Sequence, residues 1–317
     1  MSRKLNITVM LGGPSAEREV SLRTGAAVAQ ALRSLGHEVQ ELDPRTPDWV
    51  LRAGTEVVFL ALHGTYGEDG TVQKQLEQLG VAYTGCDAES SRIAFDKVLT
   101  KLRCIQAGVP TAKFLVAKSA QAPLPENLTL PLVIKPSRQG SSVGLQFVEQ
   151  AEAWPAALAE ALKFDSEVLV EEKITGRETT VGILNGKPLP VVEVRPRTGS
   201  YDYNHKYTAG ATEYFCPADF DAATTKRIQG AALEAFRAVG ARDYARVDVM
   251  VKPDGSPVVL EVNTLPGMTE TSLLPKAAIA AGLTYGGLCQ QMIDLALARH
   301  EKFKREKTAE PIGGAAI

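Results

Sequence analysis

The first hundred residues alternate between two spacings, and that alternation constrains the fold more than any other feature of the chain. "NITVML", "HEVQEL" and "EVVFLALHG" are short apolar runs of strand length, whereas "SLRTGAAVAQALRSLG" and "TVQKQLEQLG" repeat apolar residues at helical spacing. Strands separated by helices are joined by crossovers rather than tight turns, which means a parallel sheet covered by helices. The next helix, "AESSRIAFDKVLTKLRCIQAG", is expected to run unbroken to Gly108, with Pro110 behind it as a stop, and a domain boundary is placed near its start.

Beyond about Ala112 the pattern changes to hairpins. "KFLVA", "LPLVIKPS", "VGLQFVE", "EVLVEEKI", "TTVGIL" and "PLPVVEV" read as strands, the last two about Asn185-Gly186, with one helix, "AEAWPAALAEALKF", among them. The fold class is therefore α/β followed by α+β. The expected division is a Rossmann-like parallel-sheet domain over 1–95, a small central α+β domain over 96–175 and a C-terminal α+β domain over 176–305. The end of the chain, "EKFKREKTAEPIGGAAI", is charged and then Gly/Ala-rich, so disorder is expected over 306–317.

Composition excludes several function classes. A hydrophobic fraction of 44%, a charged fraction of 23% and a net charge of -2 leave no basic excess for nucleic acid or an anionic membrane surface, so a small-molecule substrate is expected. Cys86, Cys104, Cys216 and Cys289 form no C-x-x-C pair, which argues against a zinc knuckle and a disulfide framework and fits a reducing cytoplasm. In "MSRKLNITVMLGG" Asn6 interrupts the apolar run and no cleavage site follows, so a first strand is expected rather than a leader. No apolar stretch approaches the roughly 20 residues of a membrane helix.

Two stretches carry chemistry. "KPSRQGSSVG", Lys135 to Gly144, has the composition of a phosphate loop, but its lysine precedes the glycines and it joins two strands, with no helix N-terminus to receive an anion. Such a hairpin flap grips phosphate with backbone N–H groups while the entering strand supplies a fixed lysine. A Gly/Ser hairpin beside a solvated lysine has the same look. "GSSVG" also matches the hydrolase G-x-S-x-G about Ser142, yet the strand-like "LQFVEQ" after it fails the strand-turn-helix context. The first turn, "LGGPSAERE", lacks G-x-G-x-x-G, which weakens a nicotinamide-dependent oxidoreductase reading of the N-terminal sheet.

The second stretch is "ARVDVMVKPDGSPVVLEVN". A two-residue loop at Asp254-Gly255 pairs Val247 with Val262 and Val249 with Leu260, and sets Asp248 opposite Glu261 and Arg246 opposite Asn263. Carboxylates opposed across strands lie about 5 Å apart at Cβ and repel unless a cation sits between them. Two carboxylates and an amide oxygen suit magnesium that also bridges substrate phosphates. A solvated acidic face, or a type I turn with a glycine bulge that slips the register by one, would remove the site.

With these blocks in place the chain resembles the ATP-grasp enzymes and, within them, the D-alanine:D-alanine ligase family of bacterial cell-wall synthesis. The blocks are "GGPSAEREVS", "ALHGTYGEDGTVQ", "DKVLTK", "IKPSRQGSSVG", "VEEKITGRETTV", "YDYNHKYTAG", "YFCP", "ARVDVM" and "LEVNTLPGMTETSL". The resemblance implies an ATP-grasp fold of three domains, with ATP between the central and C-terminal ones and the flap over its triphosphate. Lys97, Lys135 and Ser142 would hold phosphates. Glu171, Lys173 and Ile174 would meet adenine, chiefly through backbone, and Glu178 the ribose. Asp248, Glu261 and Asn263 would bind two Mg2+, or Mn2+, with K+ as a further ion.

The implied reaction phosphorylates the carboxylate of one D-alanine and lets the amine of a second attack the acyl phosphate. Lys206 would stabilise the moving phosphoryl charge, and Arg246 with the Gly267 N–H the oxyanion. Glu17, at the head of a helix, would take the first ammonium and His63 would lie beside it, although a first-turn helix acid and a loop histidine look the same. Ser141 and Tyr207 would complete a hydrogen-bonded set with Glu17, and Ser272 and Leu273 would hold the second carboxylate. His37, His205 and His300 are read as surface residues. A homodimer in the cytoplasm is also implied, and a D-alanine:D-lactate ligase is the neighbouring alternative, against which Tyr207 discriminates.

Overall fold

The computed structural model describes residues 3–46, 48–197, 212–269 and 271–309. Strands β1 (Asn6–Met10), β2 (Glu38–Leu42), β3 (Val57–Leu60) and β4 (Ala82–Tyr83) form a parallel sheet in the order β2-β1-β3-β4. The crossovers include α1 (Arg18–Ser34) and α2 (Thr71–Leu79). All four residues of β3 are buried, as an interior strand covered on both faces requires.

The helix expected to run unbroken to Gly108 is two helices, α3 (Ala88–Phe95) and α4 (Lys97–Gln106). Asp96 between them is extended, with φ -84° and ψ 107°, and its carboxylate accepts from Val98 N and Leu99 N. A capping carboxylate competes with helix continuation, which apolar spacing alone does not register. The break makes Lys97 the first residue of α4, and its backbone N–H bonds Ser137 O at 3.0 Å.

Strands β5 (Phe114–Ala117), β6 (Leu132–Pro136), β7 (Gln146–Val148) and β8 (Val168–Glu172) form an antiparallel sheet, ordered β5-β8-β6-β7, with α5 (Trp154–Ala161) against it. Leu132 pairs with Val148 and Ile134 with Gln146, so the flap joins two antiparallel strands as its flanking alternation indicated. The third sheet holds β9 (Arg177–Leu184), β10 (Lys187–Pro188), β11 (Val192–Pro196), β12 (Thr212–Phe215), β13 (Tyr244–Val251) and β14 (Pro257–Asn263). Its order is β12-β11-β9-β13-β14, with β10 beside β9.

Helix α6 (Ala222–Ala238) packs Ile228, Ala232 and Phe236 on the face of the third sheet that carries Val181, Ile183, Val247, Val249 and Val251. The alternate residues Glu178, Thr180, Arg246 and Asp248 are thereby left on the other face. Near Gly182 and Leu184 that second face is covered by α7 (Leu273–Ala280). The last helix, α8 (Tyr285–Ala309), returns to the first sheet and buries Leu288, Cys289, Met292, Ile293 and Ala296 with Ile7, Val9 and Phe59.

Two expectations change here. Helix α8 continues to Ala309, past the start of the expected disordered tail at 306; the i,i+4 pairs Lys302–Glu306 and Glu301–Arg305, each at 3.8 Å, favour helix in that charged run. His37 is 5% exposed instead of lying on the surface, because Nδ1 accepts from Leu5 N at 3.3 Å and Nε2 meets Gln290 Oε1 at 2.6 Å.

Candidate active site

Two adjoining cavities, of about 710 Å3 and about 540 Å3, share Lys97, Gln139, Glu178, Val194, Asp248 and Glu261. Of the sequence-predicted residues, Glu17, His63, Ser141, Arg246, Asn263, Gly267, Ser272 and Leu273 line the larger one. Lys135, Ser142, Glu171, Lys173 and Ile174 line the smaller. Lys206 and Tyr207 lie outside the described residues.

The acidic pair stands on the β13–β14 hairpin, whose turn differs from the expected one. Gly255 N bonds Lys252 O at 2.8 Å and Lys252 N bonds Ser256 O at 3.0 Å, which makes a three-residue loop with Gly255 at φ +76°. That turn slips the register by one, so Val249 pairs with Val259 and Met250 with Val258; the expected Val249–Leu260 pair does not form. A shift between Asp248 and Val249 then takes up Leu260 as an extra residue and restores Val247 to Val262, Asp248 to Glu261 and Arg246 to Asn263. The bulge also lets the consecutive residues Leu260 and Glu261 both face the smaller cavity.

Asp248 and Glu261 do not face each other without compensation, as the bare pairing implied. Arg246 donates to both oxygens of Asp248, at 2.9 and 2.8 Å, Thr180 Oγ1 donates to it at 2.6 Å, and Lys97 Nζ stands 3.9 Å from Glu261. Beside them Asn263 Oδ1 is buried with no hydrogen-bond partner, an orphan oxygen that fits a hard cation. Among the described residues no three His, Cys, Asp or Glu side chains cluster as metal ligands.

The flap reaches the first sheet. Ser141 Oγ donates to Glu17 Oε2 at 2.5 Å, and Lys97 Nζ donates to Gln139 O at 2.6 Å. Gly140 passes so close that a Cβ there would lie 2.3 Å from Glu17 Oε1. Ser141 and Ser142 have φ of 52° and 59°, a strained pair of left-handed residues. Not every flap N–H is open, because Val143 N bonds Gly140 O and Leu145 N bonds Ser142 O, at 3.0 and 3.3 Å.

In the smaller cavity Glu171, 2% exposed, lies between two ammonium groups, Lys135 at 2.6 Å and Lys101. Burial alone would push the Glu171 carboxyl up, but the two lysines more than offset it and hold it below its ordinary value. Burial likewise opposes the Lys135 charge, and Glu171 outweighs it, so Lys135 is raised. Lys173 N bonds Pro131 O at 3.0 Å, while its ammonium reaches Glu149 at 2.6 Å and lies 5.2 Å from the Phe147 ring.

In the larger cavity Glu17 and His63 both follow the C-terminal ends of parallel strands, where ligands meet such sheets. His63 is held by Thr24 Oγ1 at 3.0 Å and Glu68 Oε1 at 3.4 Å, and its carbonyl accepts from Ser15 Oγ at 2.6 Å. Ser272 precedes α7 without a side-chain capping bond, its Oγ accepting from Thr269 N at 3.1 Å, and Leu273 opens the helix, so both stand at a helix N-terminus suited to a carboxylate.

The family model described as D-ala D-ala ligase C-terminus matches residues 105–294, and that described as D-ala D-ala ligase N-terminus matches residues 44–86. The chain belongs to the D-alanine--D-alanine ligase family. It is 47% identical over 294 residues to a D-alanine--D-alanine ligase of Methylacidiphilum infernorum, covering 93% of this chain and 96% of that one. The crystal structure of D-alanine--D-alanine ligase from Bacillus anthracis complexed with ATP superposes with a TM-score of 0.84 at 35% identity, over 94% of this chain and 99% of that chain. VanG D-Ala:D-Ser ligase from Enterococcus faecalis gives a TM-score of 0.81 at 30% identity, over 93% and 100%. The fold is the ATP-grasp fold of the D-alanine--D-alanine ligases, and the nicotinamide alternative falls.

Four residues in or directly behind these cavities were missed by sequence reasoning. Thr180 follows Glu178 at strand spacing, so period 2 would have placed it on the cavity face. Lys101 follows Lys97 by four residues on one helix face, a signal that was present and unused. Glu68 sits within the "HGTYGEDG" block. Leu260 carried no signal, because only the bulge turns it to the cavity.

Proposed function

We propose that the protein is an ATP-dependent ligase that joins two D-alanines into D-alanyl-D-alanine through an acyl phosphate, for peptidoglycan precursor synthesis. The observation that carries this reading is the seam: Lys97, Glu178, Asp248 and Glu261 belong to both cavities. ATP would lie in the smaller one, against Val133, Phe147, Ile174, Met250 and Leu260, with its γ-phosphoryl group at the seam. Two D-alanines would lie in the larger one. The names of the relatives support ATP and D-alanine as the substrates.

Lys97 and Lys135, with Ser142 on the flap, would hold phosphates, and Glu171, Lys173, Ile174 and Glu178 would hold adenosine. Glu17, oriented by Ser141, would bind the first ammonium near His63, and Ser272 with Leu273 the second carboxylate. Arg246 and the Gly267 N–H would meet the oxyanion, Lys206 the moving phosphoryl charge, and Tyr207 would close the set. Flap closure would exclude water from the acyl phosphate. Asp248, Glu261 and Asn263 would hold one or two Mg2+, or Mn2+, which when bound supply positive charge to phosphate oxygens; K+ is a further expectation with no residue assigned.

The division at 95, 175 and 305 is likewise proposed; sheet membership supports it, with α8 joining the first core. Among the described residues no helix is long and apolar enough to cross a membrane. A cytoplasmic homodimer is the expectation for such a ligase. Phosphate release from ATP with D-alanine, L-alanine or D-lactate supplied separately tests the function. Release with D-alanine alone is expected. Equal release with L-alanine, or release only when D-lactate is present, defeats the reading.

A further inference from the structure

We infer that Lys101 is a positioning residue of the nucleotide cavity: its buried ammonium holds Glu171 in place and leaves the Lys135 charge available to a phosphate. This rests on the nucleotide reading of the smaller cavity. Lys101 is 1% exposed on α4 and is not among the residues lining either cavity, whereas Glu171 and Lys135 line the smaller one. Whatever Lys101 does for a nucleotide is therefore done through a neighbour.

Its neighbours define the role. The ammonium ion-pairs with Glu171 Oε1, donates to Thr111 Oγ1 at 2.7 Å and to Ala112 O at 3.2 Å, and lies 5.4 Å from the Phe114 ring centroid. The other Glu171 oxygen takes Lys135 at 2.6 Å. With an apolar residue at 101, the charges of Glu171 and Lys135 would cancel, with Glu261 and Glu178 also acting on Lys135. With the lysine, three charges sum to one positive charge, and of the two ammonium groups Lys135 is the one that lines the cavity. The ammonium also fixes the far wall, since Thr111 Oγ1 donates to Val259 O at 2.9 Å, one residue before the bulged Leu260.

A purely structural role does not account for an ammonium here. Desolvating it is costly, and a methionine would fill the same volume without a charge. Burial lowers the Lys101 pKa despite Glu171, which shows the cost in the same direction.

Steady-state kinetics on the full chain, with ATP and D-alanine varied in turn, compare Lys101→Met, Glu171→Gln and the double variant. Removing one partner of a buried ion pair predicts a rise of ~10–100-fold in KM for ATP in Lys101→Met. The KM for D-alanine should stay unchanged. Because Lys101 acts through Glu171, the double variant should be no worse than Glu171→Gln alone. A wild-type KM for ATP in Lys101→Met, an equal rise for both substrates, or additive effects in the double variant overturns the inference. If Lys101→Met does not fold, the double variant against Glu171→Gln decides: the same KM for ATP supports the inference and a further rise overturns it. A Glu171→Gln enzyme with unaltered KM for ATP removes the nucleotide reading and the inference with it; an altered Glu171→Gln beside an unaltered Lys101→Met overturns the inference alone.

Discussion

Glu68 is buried behind His63, and its environment sets a pH dependence of known sign. Burial pushes its carboxyl above the ordinary value, the His63 hydrogen bond draws it back, and the nearby Glu17 charge adds to the rise. The folded protein thus holds that proton more tightly than the unfolded chain. The stability this contributes is complete below the ordinary carboxyl value of about 4.3 and is lost as pH rises through the raised value. Glu68→Gln should therefore gain stability relative to wild type as pH climbs through that window, and parallel pH profiles in denaturant titrations would refute it. At Glu261 the balance of charges differs from a bare repelling pair, because Arg246 holds Asp248 and Lys97 lies near Glu261. Glu261→Gln should change metal-free stability by under about 1 kcal/mol while turnover with magnesium-ATP falls by orders of magnitude. Thermal melts run beside phosphate release check both, and full activity would remove Glu261 from the proposed cation site.

At the scale of elements, two local devices place the seam. Asp96 stops α3 and caps α4, so the chain turns where Lys97 leaves it for the flap. Asp96→Ala should cost about 1 kcal/mol of stability and raise the KM for ATP through Lys97. An unchanged KM in a destabilised variant would confine Asp96 to capping. The β13–β14 hairpin is the second device. Its turn and its bulge each shift the pairing by one residue in opposite senses, so Asp248 meets Glu261 although the turn is not the two-residue one that the Asp-Gly pair suggested. Apolar opposite apolar at Val247–Val262 gives the pairing its physical reason, because a one-residue slip there would turn charges toward α6.

At the scale of the whole molecule, the two cavities are lined by strands of the second and third sheets and by α1 and the loops that follow strands of the first, and the flap bridges from the central sheet to Glu17 beside the first. Ligands that fill both cavities should stabilise that bridged state by mass action. Protease should cut between Gly140 and Gly144 in the ligand-free protein and be excluded by ATP, magnesium and D-alanine together. Equal cleavage rates in the two states would show that the flap does not close over substrate.

The sequence alone determined the elements whose signals are local. Alternating periods specified the parallel sheet, Asn185-Gly186 a hairpin, and period 2 in "ARVDVM" the face shared by Arg246 and Asp248. It also held the blocks that mark the family. What tertiary structure decided were distances between groups remote in the chain: Lys101 against Glu171, Ser141 on Glu17, Lys97 near Glu261, and α8 returning to the first sheet. Those contacts depend on how the sheets pack and where a bulge falls. Side-chain spacing reports which face a residue occupies, but not which partner from another sheet comes within a few ångströms of it.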